Sequence, residues 1–338
     1  MKLWLFATAM FVAVSMMPAS SAATAPDTAS PRIVADDLDR FWAAYDAIRK
    51  VDDPAQQQAQ FQALYLDKGT PGLRAFMQAK GYTAATYVQA IRQYPKYWDS
   101  IRPRVPLVRQ SLAGLERHLE RLRQLYPAMR PAAVYLEIGA LRSAGTTLDD
   151  KVLLGAEMIA GEAGSDTSQM PERLQRFFAG YFASEPLSSL DLLAVHEFVH
   201  TQQRGERQSL LAQAVYEGVA DFVAERVTGR LPKLDYFVYG PAHDAAVKQA
   251  FKRDMAGNDY SGWLYNSTEN PFGTRDLGYY VGYAICARYY AKAPDKQAAI
   301  KAMLELDYAD ETAVRTFVDA SDYFGAEPAA ARSTTALR

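Results

Sequence analysis

Apolar residues recur at intervals of three and four from about Asp37 to Tyr126, the spacing of helices with one buried face. DLDRFWAAYDAIRK starts behind an aspartate able to cap it, GLRAFMQAK ends at Gly81, and TAATYVQAIRQYP stops near a proline. PLVRQSLAGLERHLERLRQLYP predicts a longer helix bounded by prolines, whose alternating charges, His118 among them, face water. The pattern then changes. AAVYLEIGAL (132–141) and KVLLGAEMIA (151–160) lean towards strand, and the turn-rich RSAGTTLDD between them predicts a β-hairpin or two strands of a small sheet. Helical spacing returns in SLDLLAVHEFVHTQQ, LLAQAVYEGVADFVAERV, AAVKQAFKRDM, DLGYYVGYAICARYYA and DKQAAIKAMLEL. The predicted class is α+β and mainly helical. A helical N-terminal region (37–128) precedes a unit over 129–325 with a small sheet and a helical C-terminal part, and 326–338 form a loose tail.

The two ends and the composition narrow the setting. Lys2 precedes the apolar run LWLFATAMFVAVSMM, and the small residues PASSAATA follow. That order is a secretory signal peptide over 1–22, cut after Ala22, with 23–36 as a flexible lead-in. The run is shorter than the ~20 residues of a spanning helix, so no stable membrane anchor is expected after cleavage. The product is exported, to the periplasm or beyond. Cys286, the only cysteine, sits in the apolar VGYAICARYY and reads as a core residue, so no internal disulfide is available. With 37 basic against 39 acidic residues, no cationic excess calls for nucleic acid as partner.

Chemistry concentrates in AVHEFVH. His196 and His200 lie four apart, so at helical pitch both rings face one side, while Glu197 is offset beside them. Four histidines in 338 residues would form about 0.04 such pairs by chance. From Leu192 to Val199 every other residue is apolar, so the helix is buried, and three buried polar groups are costly unless a shared partner satisfies them. A divalent cation would. Catalytic zinc takes three protein ligands and keeps one position open. The third comes from AVYEGVADF on the next apolar helix: Glu217 or, as a rival, Asp221 one turn later. The small Gly218 and Ala220 would let this helix approach the first. The acid that is not the ligand would accept the spare ring N–H of a histidine, His196 first. His243, near a helix start, reads as structural.

His-Glu-x-x-His with a downstream glutamate resembles the gluzincin metallopeptidases, the clan of thermolysin and the M1-type aminopeptidases. Over most of the mature chain the sequence is similar to a family of predicted zinc-dependent proteases related to gliding-motility lipoproteins. LYLDKGTPGLRAFM, VYLEIGALRSAGTTLDDKVLLGAEM, HEFVH, EGVADF and DLGYYVGYAICARYY carry the likeness. Two departures stand out: the interval from His200 to Glu217 is slightly shorter than in thermolysin, and the lipoprotein cysteine is missing. The resemblance implies a thermolysin-like core holding one zinc per chain on His196, His200 and Glu217, with Asp221 as the orienting acid. It implies hydrolysis of peptide bonds by a zinc-activated water, with Glu197 as general base. A Tyr or His often steadies the oxyanion in this clan; Tyr279, then Tyr283, are the local choices. An edge strand that pairs with the substrate backbone would be 153–158. There Gly155, Ala156 and Glu157 are similar to the Gly-x-Met-Glu-Asn motif of the aminopeptidases, with Glu157 displaced by one. The alternatives are a catalytically silent, zinc-stabilised binding protein on the same fold and a hydrolase of non-peptide amides.

Overall fold

The structure, a computed structural model, describes residues 32–325. The expected signal peptide, most of the expected lead-in and the expected tail lie outside them. The chain is mainly helical with one four-stranded sheet. The strands are β1 (Ile33–Val34), β2 (Ala133–Glu137), β3 (Gly145–Leu148) and β4 (Lys151–Gly155), in spatial order β1-β2-β4-β3. β1 runs parallel to β2, β2 parallel to β4, and β3 antiparallel to β4.

Of the two arrangements expected, the structure has two strands of a small sheet and not a hairpin of the two runs. The two β-leaning runs do neighbour each other, but in parallel. The hairpin partner of β4 is β3, which forms inside the turn-rich segment, and the reversal sits at Asp149 with φ 53°. β4 is therefore interior and β3 is an edge, so 153–158 is not the free edge that a substrate strand would need. β1 also replaces part of the expected lead-in.

Most helices fall where the spacing places them. Pro71–Lys80 starts on a Thr70 cap and stops at Gly81, whose φ of 65° suits a residue without Cβ. The helix Asp36–Ile48 lacks the aspartate cap; its cap residue is Ala35, and Asp36, Asp37 and Asp39 fill the first turn instead. The expected long helix is broken by a 3-10 turn at Leu112–Gly114 into Val105–Ser111 and Leu115–Leu125. His118 stays partly exposed, and its Nε2 lies 3.3 Å from Asp191. His243 stacks on Tyr239, ring centres 3.9 Å apart, just before the helix Asp244–Asp254. One continuous apolar core runs from Val34 to Tyr323 and spans the N-terminal helices, the sheet and the later helices, with Cys286 fully buried in it. Among the described residues no helix is long and apolar enough to cross a membrane.

Three helices frame the site. They are the motif helix Leu190–His200, the glutamate helix Leu210–Thr228 and the tyrosine helix Leu277–Lys292. The turn between the first two passes through Gly205 at φ 90°, where a Cβ would lie 2.7 Å from the Ala309 backbone nitrogen. Ser209 then caps the glutamate helix by accepting from the Ala212 N–H. Gly218 does not face the motif helix. A Cβ there would lie 2.0 Å from the Gly282 carbonyl carbon, so its smallness serves the crossing with the tyrosine helix.

Candidate metal centre

The motif helix and the glutamate helix pack together and bring His196, His200 and Glu217 to one point. His196 Nε2 and His200 Nε2 are 3.1 Å apart, and Glu217 Oε2 stands 3.3 Å from the first and 3.2 Å from the second. The neighbours fix what these atoms offer. His196 Nδ1 donates to Asp221 Oδ1 at 2.8 Å, and Asp221 Oδ2 accepts from Tyr236 Oη at 2.9 Å. His200 Nδ1 lies 2.6 Å from Gln203 Oε1. The Gln203 amide nitrogen donates to the Tyr216 carbonyl and the Tyr308 hydroxyl, so its oxygen must face the ring. Both imidazoles thus carry their proton on Nδ1. Two Nε2 lone pairs and a carboxylate oxygen then converge, three acceptors with no donor among them. Such a group is held together only by a cation or an added proton.

A metal fits this group. Tetrahedral donors at about 2.0–2.1 Å from an ion stand about 3.3 Å from one another. The three observed separations match that, and two imidazoles with one carboxylate suit zinc chemistry. Without an ion, protonation takes its place. Burial opposes charge on His196, but Asp221 and Glu217 hold its pKa well above the ordinary value. The two rings in turn hold Glu217 well below the ordinary carboxylate range, against its burial.

The other oxygen of Glu217 is also fixed. Glu217 Oε1 accepts from Tyr265 Oη at 2.5 Å and from Gln213 Nε2 at 3.0 Å, and Arg207 Nε holds the Gln213 oxygen at 3.0 Å. Each candidate ligand therefore has its own orienting partner: Asp221, Gln203, and the Gln213–Tyr265 pair. Tyr216 stacks on His200 with ring centres 4.4 Å apart. Glu197, buried beside the three, is steadied by Thr147 of β3, whose hydroxyl lies 3.0 Å from both Glu197 Oε2 and the Glu197 carbonyl. Gly145 of the same strand leaves room for Glu197: a Cβ there would be 2.8 Å from its Oε1.

The remaining expected residues divide. Tyr279 stands over His196, ring centres 6.3 Å apart, and meets the Tyr265 ring edge-on at 6.2 Å. Burial, then the charge of Glu217, pushes both phenols above their ordinary pKa. Tyr283 is turned away and donates to Glu225 at 2.8 Å, so it is no oxyanion donor. Gly155 ends β4, and Ala156 and Glu157 open a short helix rather than continue the strand. Glu157 is fully buried and accepts the backbone N–H groups of Gly139 and Leu141 at 2.8 and 3.3 Å. It cannot meet a substrate amine. Sequence spacing gave no signal for Thr147, Tyr265, Gln203 or Gln213, although Gln203 and Gln213 are polar positions beside or within otherwise apolar helices.

No family model matches the chain, nor does any curated protein or solved structure.

Proposed function

We propose that the chain is an exported zinc metallopeptidase of gluzincin type with a thermolysin-like core, cutting peptide bonds. The observation that carries this reading is the convergence of three acceptor atoms beside a buried glutamate that is not one of them. His196, His200 and Glu217 would hold the zinc. Bound zinc supplies Lewis acidity and lowers the pKa of water in the position its protein ligands leave open. Glu197 accepts the proton of the attacking water at its carboxylate and returns it to the leaving amine. The Thr147 hydroxyl keeps that carboxylate from swinging away. Tyr279 offers the phenol donor that stands over the site, and the free edge of β3 can pair with an extended peptide backbone.

Metal analysis joined to a peptide-library digest tests the proposal. Wild type should hold one zinc and cleave. Glu197→Gln should keep its zinc and lose ~10²–10⁴-fold in rate, the scale of a lost general base. Full zinc occupancy with no cleavage of any peptide would replace this reading with that of a zinc-stabilised binding protein.

A further inference from the structure

Residues 138–144 carry the chain across the end of the sheet. β2 and β4 are parallel neighbours, and β3 pairs with the far side of β4, so the chain leaving β2 must pass over the C-terminal end of β4 to enter β3. The passage is tight. A Cβ at Gly155 would lie 2.2 Å from the Ser143 carbonyl oxygen, and the Gly155 N–H donates to the Ala144 carbonyl at 2.8 Å. Leu141 adopts φ 63°, a left-handed conformation that a leucine holds only where its surroundings impose it.

Buried side chains impose it. The hydroxyls of Tyr65 and Tyr87 each donate to the Ile138 carbonyl at 2.9 Å. The Glu157 carboxylate accepts the Gly139 N–H on Oε2 at 2.8 Å and the Leu141 N–H on Oε1 at 3.3 Å. This carboxylate is fully buried, and backbone N–H groups, not a cation, offset its burial. A buried charge costs free energy that a neutral side chain would spare. A glutamine could not do the same work, however. Two carboxylate oxygens accept two N–H groups at once, whereas an amide offers one oxygen and sets its NH2 against the second donor.

The loop delivers β3 to Glu197. Gly145, the first residue of β3, leaves room for the Glu197 carboxylate, and the Thr147 hydroxyl holds it at 3.0 Å. We infer that Glu157 is a positioning residue for catalysis: its carboxylate fixes the crossing loop, the loop fixes β3, and Thr147 of β3 fixes Glu197. This role rests on the metallopeptidase reading above.

A double-mutant cycle at pH 8 tests it. Turnover of a peptide that wild type cleaves is compared for zinc-loaded wild type, Glu157→Gln, Thr147→Val and the double variant, with the melting temperature and zinc content of each. Glu157→Gln should keep its zinc and melt no lower than wild type, because it buries no charge. It should nonetheless lose about tenfold in kcat, within the ~10²-fold that misplacing a catalytic group can cost. Thr147→Val should lose about as much, and the double variant no more than either alone, because both act on Glu197 through one strand. Unchanged kcat in Glu157→Gln, a loss matched by lost zinc, or losses that multiply in the double variant overturns the inference. Should Glu157→Gln not fold, Glu157→Asp takes its place in the cycle: it keeps the charge but draws it back from the loop, and the same kinetic outcomes decide. If wild type cuts no peptide, the hydrolase reading fails by itself. Hydrogen exchange of the zinc-loaded proteins, read by mass spectrometry, then decides the positional link without turnover. Exchange about tenfold faster over 139–148 in the Glu157 variant, with the motif helix unchanged, upholds the link. Equal exchange over 139–148 overturns it.

Discussion

Replacing Gly282 by alanine should unseat the tyrosine helix from the glutamate helix. A Cβ at Gly282 would lie 1.8 Å from the Ala214 carbonyl oxygen, 2.6 Å from its carbon and 3.0 Å from the Gly218 Cα. All three are backbone, so no rotamer change relieves the clash. Real contacts of this kind stay beyond 3.0 Å, so the helices must part by about 1.2 Å. Overpacking a close-packed core costs ~1–3 kcal/mol, and a clash between two backbones belongs at the top of that range. Helix propensity returns at most about 1 kcal/mol to the alanine variant. The net loss of ~2 kcal/mol corresponds to about 4 °C in melting temperature for a chain this long. Gly180→Ala is the matched control. It also lies within a helix, Glu172–Ala183, but a Cβ there meets nothing within 4 Å, so the change should stabilise by ~0.5–1 kcal/mol. Thermal unfolding followed by circular dichroism reads both. A Gly282→Ala protein as stable as wild type would refute the described crossing, because no side-chain adjustment can accommodate that atom.

Four further outcomes follow from the centre and its surroundings. His196→Ala should abolish stoichiometric zinc in the purified protein, measured by mass spectrometry of the metal; full occupancy would contradict its assignment. Asp221→Asn should weaken zinc by ~10–100-fold in a chelator competition, because the His196 ring loses the charged partner that fixes its tautomer. Zinc added to metal-free protein should raise the melting temperature in a concentration-dependent way, since the ion satisfies three acceptors that otherwise face one another. Burial raises the Glu157 carboxyl to about 7, above the ordinary glutamate value of 4.5. Between these two values the folded chain binds more protons than the unfolded one, so stability should fall as pH rises through that window and level off above it. The full span corresponds to ~3 kcal/mol. Denaturant titrations from pH 4 to 8 should show that slope in wild type and not in Glu157→Gln.

What could be read from the sequence, and what could not, follows from how far apart along the chain the partners lie. His196, Glu197 and His200 share one helix, so helical pitch alone fixes their relative directions. Glu217 and Asp221 share the next helix, and a short turn joins the two, so their approach could also be anticipated, with Glu217 beside the two Nε2 atoms and Asp221 on the His196 Nδ1. Tyr265 reaches Glu217 across 48 residues and Thr147 reaches Glu197 across 50, and nothing local to either residue marks the contact. The sheet shows the same limit. The strand character of 133–137 and 151–155 was visible as β-branched and apolar runs, but pairing depends on a third strand hidden among turn residues. GTTL was hard to see because it is short, half-exposed and follows a loop. β1 has only two residues, too few for any periodicity.

The apolar character of the glutamate helix on all sides has a specific origin. Successive residues on a helix point about 100° apart, so Glu217 and Gly218 cannot serve the same neighbour. Glu217 faces the motif helix and supplies the carboxylate; Gly218 faces the tyrosine helix and admits the backbone of Gly282. Asp221 returns to the motif-helix side one turn later and meets His196. The helix is thus clamped between the element that carries the histidines and the one that carries Tyr279. Glu217 and Asp221 lie on the face that meets the histidines, Gly218 on the face that must be thin, and Glu225 nearer the helix end accepts from Tyr283 of the tyrosine helix. A carboxylate ligand has a short reach, so the position of Glu217 relative to the histidines is only as firm as the seat of its helix. The Gly218–Gly282 contact provides that seat from behind, which explains why a glycine directly follows Glu217 even though it faces away from the histidines.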